Sequence, residues 1–238
     1  MLFNIQNLVL GLAVASTSVS AAPLLKSRAV IDHDAVVGFP EAVPDGLEGE
    51  LMLRYKPFLK VVNGCVPFPV VNANGDTGGG LKPTGSAESG CSSSPGQIYA
   101  RAANYNGLYA IMYSWYMPKD SPSDGLGHRH DWENAIVWLS DLSEDAELRG
   151  VAISAHGDYD KLTEPHLSGD RPRIGYKSSW PVDHQLIDET EEGGEQPLVS
   201  WQCMTEEARV AISTTDFGSA RTSLSDANFE YYLEKGQI

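Results

Sequence analysis

Four ionisable side chains that could share one charged ligand lie between positions 120 and 133: Asp120, His128, Asp131 and Glu133. Three of them, with Arg129, His130 and Trp132, fall in the heptapeptide Gly127–Glu133 (GHRHDWE). Carboxylates and imidazoles gathered at one loop mouth repel or perturb one another unless positive charge neutralises the acids. A divalent cation does this directly. Oxygen-rich ligands suit Mg²⁺, Ca²⁺ or Mn²⁺, whereas His128-x-His130 alone suits Zn²⁺. Two other readings fit the same residues: Arg129 paired with Asp131 or Glu133 in a structural loop, or acid–base chemistry. Spacing leaves all three open.

The flanking elements must position this cluster. Leu108–Met117 is aromatic-rich and apolar on both alternations, with Tyr109, Ile111, Tyr113 and Trp115 on one side and Leu108, Ala110, Met112 and Tyr116 on the other. That pattern predicts a strand buried on both faces. Trp132–Leu139 reads likewise, and a period of two puts Asp131 and Glu133 on one side. If the strands are antiparallel neighbours, the connection 118–131 brings Asp120 near His128, Asp131 and Glu133. His128 has the opposite parity to Asp131, so convergence is expected to need a non-strand loop over Gly125–Gly127. A smaller polar group, His156-Gly157-Asp158-Tyr159-Asp160, follows a third apolar run, Gly150–Ala155, and His156 reads equally well as a buried hydrogen-bonding histidine.

The 238-residue chain carries a formal charge of −15, which excludes nucleic-acid binding by a basic footprint and attachment to anionic lipid by bare charge. Residues 1–22 read as a secretory signal peptide and 23–31 as a short processed or flexible segment, leaving 32–238 as a single domain. No apolar run is long enough for a membrane-spanning helix. Cys65 and Cys91 flank a Gly/Ser/Asn/Pro-rich stretch that cannot bury much surface. In a secreted protein they are expected to pair, contributing about 3–4 kcal/mol in the chain-entropy model. Cys203, beside Trp201 and Met204, is expected to be a buried free thiol. Asp188–Glu195 (DETEEGGE) reads as a solvated acidic loop. Glu48–Leu59 reads as a short helix or irregular segment. Thr205 caps an expected helix, and Ser225–Glu234 predicts another with Phe229, Tyr232 and Leu233 inward and Gly236 as its stop. Together these elements predict a mainly β fold, an antiparallel β-sandwich with a few flanking helices.

The heptapeptide GHRHDWE, preceded by AIMYSWYMPKDSP at 110–122, resembles the necrosis- and ethylene-inducing peptide-like proteins, secreted NPP1-type cytolysins of plant-associated microbes. The resemblance runs from Asp32-His33-Asp34-Ala35-Val36 through Gly64–Pro69 (GCVPFP) and Ser154–Gly157 to Phe217-Gly218 and the C-terminal segment. It implies a sandwich similar to actinoporins and fungal lectins, no enzymatic activity, and the two-cysteine class with a Cys65–Cys91 bridge. It also implies a divalent cation, Mg²⁺ or Ca²⁺, held by Asp120 and Asp131 with His128 and Glu133 direct or through water. Arg129 would orient the acids, and His130 and Trp132 would be structural support. Trp180, Asp183 and His184 would lie in a loop engaging lipid or sugar. The implied partners are plant glycosylinositol phosphorylceramide head groups, and in some plants immune receptors. The protein would be a monomer in solution, secreted to the apoplast and acting at the host plasma membrane. Non-cytotoxic members of the family leave a secreted binder or immune elicitor as the alternative, with a metal-dependent hydrolase behind it.

Overall fold

The computed structural model describes residues 28–178 and 183–238; the expected signal peptide (1–22) and Trp180 lie outside the described residues. In chain order the elements are β1 (Val30–Ile31), α1 (Leu47–Arg54), β2 (Phe58–Val61), β3 (Thr77–Gly78), β4 (Ile98–Tyr105), β5 (Leu108–Ser123), β6 (Leu126–Leu139) and β7 (Leu148–Ala155). They continue as β8 (Asp158–Leu162), β9 (Leu167–Ser168), β10 (Arg171–Lys177), β11 (Gln185–Asp188), β12 (Leu198–Ser200), α2 (Glu206–Thr214) and α3 (Phe229–Lys235). The larger sheet runs β12-β4-β5-β6-β7-β8, and a smaller one runs β11-β10-β2, with β9 on β10. Pairing is antiparallel through the centre of the larger sheet. It turns parallel where β12 joins β4 and where β2 joins β10.

The alternation in β5 is used on both faces. Tyr109, Ile111, Tyr113 and Trp115 pair in register with Leu139, Val137, Ala135 and Glu133. On this face Tyr113 Oη donates to the Met52 carbonyl of α1 (2.8 Å), and Tyr176 Oη of β10 donates to Asp131 Oδ2 (2.6 Å). The smaller sheet and α1 therefore cover it. On the other face Ser114 Oγ meets Ser223 Oγ at 2.8 Å, Tyr116 and Trp132 pack on Phe217, and Trp138 Nε1 donates to the Gly236 carbonyl. The C-terminal segment forms this third layer. Both strands bury large side chains, among them Trp115, Trp138, Tyr113 and Ile111, each worth about 1.5–3 kcal/mol of burial. A Cβ on Gly236 would meet Ile136 Cδ1 at 2.6 Å, so the expected stop residue is also a contact with the sheet.

Two expectations change, for 118–131 and for Cys203, and two gain detail. The connection 118–131 is not a loop: β5 continues to Ser123 and β6 begins at Leu126, with only Asp124 and Gly125 between them, an Asp-Gly hairpin turn with Gly125 at φ 76°. The 188–195 stretch is strapped down: Gly194 exchanges both backbone hydrogen bonds with Leu59 of β2, and a Cβ on Gly193 would strike the Leu59 carbonyl carbon at 2.1 Å. Cys203 is exposed, because it sits in a short 3-10 turn (Trp201–Cys203) that holds Met204, not the thiol, inside. Glu48–Leu59 resolves into α1 and the start of β2.

The cysteines pair as expected, Cys65 with Cys91, at a Cα separation of 4.9 Å. The enclosed loop grips the tip of the β5–β6 hairpin. Leu81 N–H donates to the Pro118 carbonyl, Gly125 N–H to Pro83, and Gly85 N–H to Asp124 Oδ1, each at 2.7 Å. The buried Lys119 ammonium donates to the Thr84 and Ser86 carbonyls at 3.0 Å. Thr205 Oγ1 accepts from Ala208 N–H at the start of α2, as its cap should.

Candidate functional site

The parity conflict between His128 and Asp131 is resolved at His130. Register pairs place Asp120 opposite His128 and Met117 opposite Asp131. Between these pairs Pro118, with no N–H to give, stands opposite His130, which adopts φ 61°. That left-handed residue breaks the alternation, so His128, Asp131 and Glu133 all line one cavity of about 440 Å³. His130 is fixed in this strained state by Tyr116 Oη at 2.6 Å from its Nδ1 and by edge packing on Phe217. Burial and the Arg129 charge push its pKa down to about 4, so it stays neutral. Gly127, at φ 100°, lets the two strands close, since a Cβ there would meet the Asp120 carbonyl oxygen at 2.2 Å.

Asp120, His128 and Asp183 each present one ligand atom within 4.8 Å of the others. His128 Nδ1 donates to the His130 carbonyl at 2.8 Å, which leaves Nε2 with its lone pair, 3.9 Å from Asp120 Oδ2. A backbone carbonyl on one nitrogen and an open second nitrogen is the usual arrangement of a metal-binding imidazole. Asp120 is held from behind: it accepts from the His184 backbone N–H at 3.0 Å and lies 2.6 Å from His184 Nδ1. His184 stacks on Tyr176 with ring centroids 4.6 Å apart, and Gly64 leaves room for its Nε2. Asn63 exchanges two hydrogen bonds with Ser178 and anchors the chain leading to this segment.

Asp131 and Glu133 stand deeper. Burial, and then the Asp120 charge, raise the Asp131 pKa to about 7. Burial and the Asp131 charge raise Glu133 well above the carboxylate range, against the pull of the Ser154 hydroxyl that donates to it. No lysine or arginine lies within ion-pair distance of Asp120, Asp131 or Glu133 among the described residues. The donor set, carboxylate oxygens with one imidazole nitrogen, fits a hard divalent cation of the Mg²⁺ or Ca²⁺ kind better than Zn²⁺.

The other expected residues have distinct surroundings. Arg129 does not pair with the acids: its guanidinium donates to the Gly79 and Gly80 carbonyls at 2.6 and 2.9 Å, on the other side of the hairpin. Its alternation, unlike that of the acids, is not reversed by His130. Trp132 is buried against Tyr99, Tyr116 and Phe217, away from solvent. His184 is buried behind Asp120, whereas Asp183 is exposed and reaches the Asp120–His128 pair. His156 lines the cavity at φ 48° and is exposed, not buried. Tyr176 and Ser154 also hold the site. Ser154 carried a local signal, at the end of the third apolar run, while Tyr176 is brought in by sheet packing that no local pattern encodes.

The family described as necrosis inducing protein (NPP1) matches residues 49–236. The chain is 46% identical to the necrosis-inducing protein NPP1 of Phytophthora nicotianae, over 84% of this chain and 87% of that protein. It is 45% identical to NLP effector protein 1 of Phytophthora capsici, over 92% and 96%. The structure superimposes on that of NLPPya in complex with mannosamine at a TM-score of 0.84, with 48% identity, covering 88% of this chain and all of that one. It superimposes on the non-toxic HaNLP3 protein at 0.82, with 40% identity, covering 86% and 98%. The two curated relatives are named as a necrosis-inducing protein and an effector, not as enzymes. By sequence and by fold, the chain belongs to the necrosis-inducing protein family.

Proposed function

We propose that this protein is a secreted cytolysin that engages plant glycosylinositol phosphorylceramide head groups through a divalent cation and damages the plasma membrane. Asp120, His128 and Asp183 would hold the ion, with Asp131 and Glu133 supplying charge behind them. The observation that carries the reading is the gathering of uncompensated acids, with one open imidazole nitrogen, at the wall of a sugar-sized cavity. The bound ion would supply a positive centre to which anionic or hydroxyl oxygens of a head group can coordinate. Without such a centre a chain of charge −15 is repelled by an anionic membrane surface. Amino-sugar binding by a 48% identical relative supports a sugar in this cleft. His184 and Tyr176 would position Asp120 and Asp131, and the disulfide-closed loop would steady the hairpin tip.

The test is dye leakage from vesicles containing glycosylinositol phosphorylceramide, with Ca²⁺ or Mg²⁺ and then with excess chelator. Leakage that requires both the lipid and the cation is expected. Leakage unchanged by chelator would overturn the cation bridge. A second reading, a binder without lytic activity, is favoured by the non-toxic relative of the same fold. Cation-dependent vesicle binding without leakage would select it.

A further inference from the structure

The chain has nine arginines, and eight of them donate to a carbonyl or hydroxyl oxygen or pair with a carboxylate. The exception is Arg221, which makes no hydrogen bond or ion pair among the described residues and lines the same cavity as Asp131 and Glu133. It is exposed, and it is the sole lysine or arginine on that wall among the described residues. Five acids share the cavity with it: Asp120, Asp131, Glu133, Asp158 and Asp183. A guanidinium in such surroundings would ordinarily fold onto a carboxylate. This one lies close enough to Tyr232 for its charge to act on that phenol, and it makes no ion pair with Asp120 or Asp183 of the candidate cation group. The cleft therefore presents an open guanidinium besides the candidate cation position, with buried acids elsewhere on its wall.

We propose that Arg221 is a specificity-determining contact for a second anionic group, a phosphate or a carboxylate, on the sugar that occupies the cleft. This rests on the cation-bridged reading and deepens it: the ligand would be an anionic sugar, gripped at the ion and at Arg221. Elsewhere among the described lining residues an anion meets carboxylates, imidazoles, hydroxyls and an amide, and no second guanidinium or ammonium. Arg221 offers a planar fork of donors matched to two oxygens.

The test is calorimetric titration of the mature chain in Ca²⁺ with glucose, glucuronate, glucose 1-phosphate and glucose 6-phosphate. The wild-type protein is expected to bind at least one anionic sugar about tenfold or more tighter than glucose, which corresponds to about 1.4 kcal/mol. Arg221→Gln should lose that preference and keep its glucose affinity, and Arg221→Lys should retain part of it. The glucuronate and phosphate arms separate a carboxylate source from a phosphate source. A merely charge-balancing arginine would not produce this selective loss. No preference in the wild type, an unchanged preference in Arg221→Gln, or no binding of any sugar overturns the assignment. Failure of the cation reading looks different: chelator then leaves wild-type sugar binding and vesicle leakage unchanged. If only the Arg221 assignment fails, chelator still abolishes wild-type leakage while Arg221→Gln behaves as wild type.

Discussion

Glu189, Glu191 and Glu195 each lie against a lysine or arginine, whereas among the described residues none lies within ion-pair distance of Asp120, Asp131 or Glu133. In the 188–195 stretch Lys60 pairs with Glu191 at 2.9 Å and Glu189 at 3.6 Å, and Glu195 meets Arg171 at 2.9 Å and Lys56 at 3.2 Å. The titration shifts run in opposite directions. Hydrogen bonds from Arg171 and Lys56 hold Glu195 below the usual carboxylate range, although partial burial opposes them. Burial and mutual repulsion drive Asp131 and Glu133 above it. The two acidic groups look alike as charge runs. Partners and burial make one a strap over β2 and leave the other with charge that something else must balance.

The contrast can be broken most severely at Asp120. Asp120→Asn keeps the size of the side chain but removes the charge at the centre of the donor group. Cation binding is expected to fall by 100-fold or more, a change of about 2.8 kcal/mol, and lysis with it, while far-ultraviolet circular dichroism stays native. Asp131→Ala is expected to abolish leakage in the same way, and a folded variant with wild-type leakage would remove Asp131 from the mechanism.

The next largest effect is on pH dependence. Asp131 has a folded pKa of about 7, above its ordinary 3.8, so between these values the folded protein binds a proton that the unfolded chain has released. Stability of the cation-free protein should therefore be greatest below about pH 4 with respect to this group. It should fall as pH rises towards about 7, at up to about 1.4 kcal/mol per unit. Urea titrations in chelator measure it. Added Ca²⁺ should stabilise more at pH 7.5 than at pH 5, because the ion competes with the protons. A chelated protein whose stability rises across this window would contradict the uncompensated cluster.

Glu133→Gln removes one repelling charge and sharpens the comparison from the other side. In chelator at pH 7.5 it is expected to stabilise the fold by about 1 kcal/mol, the low end for relieving a buried uncompensated charge. The stabilisation gained from Ca²⁺ should shrink at the same time. The smallest effect belongs to the strap: Glu195→Gln should cost no more than about 1 kcal/mol, since the Glu195 side chain is about half exposed and Lys56 keeps Glu41 as a partner. It should leave cation binding and leakage unchanged.

The central hairpin was legible because its alternation is strict: Tyr109 to Trp115 and Ala135 to Leu139 are buried strand residues in register. The Thr205 cap, the C-terminal helix with its Gly236 stop and the Cys65–Cys91 pair were legible for equally local reasons. The family was readable from GHRHDWE and its flanks, and so were Asp120, His128, Asp131 and Glu133; Asp183 was expected to meet lipid or sugar, not to join Asp120 and His128. The arrangement of these residues was not readable. It depends on one left-handed residue, His130, stabilised by a tyrosine fourteen positions earlier in chain order. Tyr176 comes from β10 of the smaller sheet and His184 from the residue before β11, through contacts 45 and 64 residues apart in sequence. The strap over β2 was invisible for the same reason, because Lys56, Lys60 and Arg171 reach Glu189–Glu195 only after β2 and β10 pair. The apolar neighbours of Cys203 pointed inward, but a 3-10 turn presents the thiol outward.

One measurement bears most directly on the account: calorimetric titration of Ca²⁺ and Mg²⁺ into chelator-treated mature protein at pH 7.5, alongside Asp120→Asn and Glu195→Gln. A single site is expected in the wild type and in Glu195→Gln, and it should vanish in Asp120→Asn. Folded wild-type protein that takes up neither ion, or an Asp120→Asn variant that binds as tightly, would contradict the claim that the cleft acids are balanced by a divalent cation.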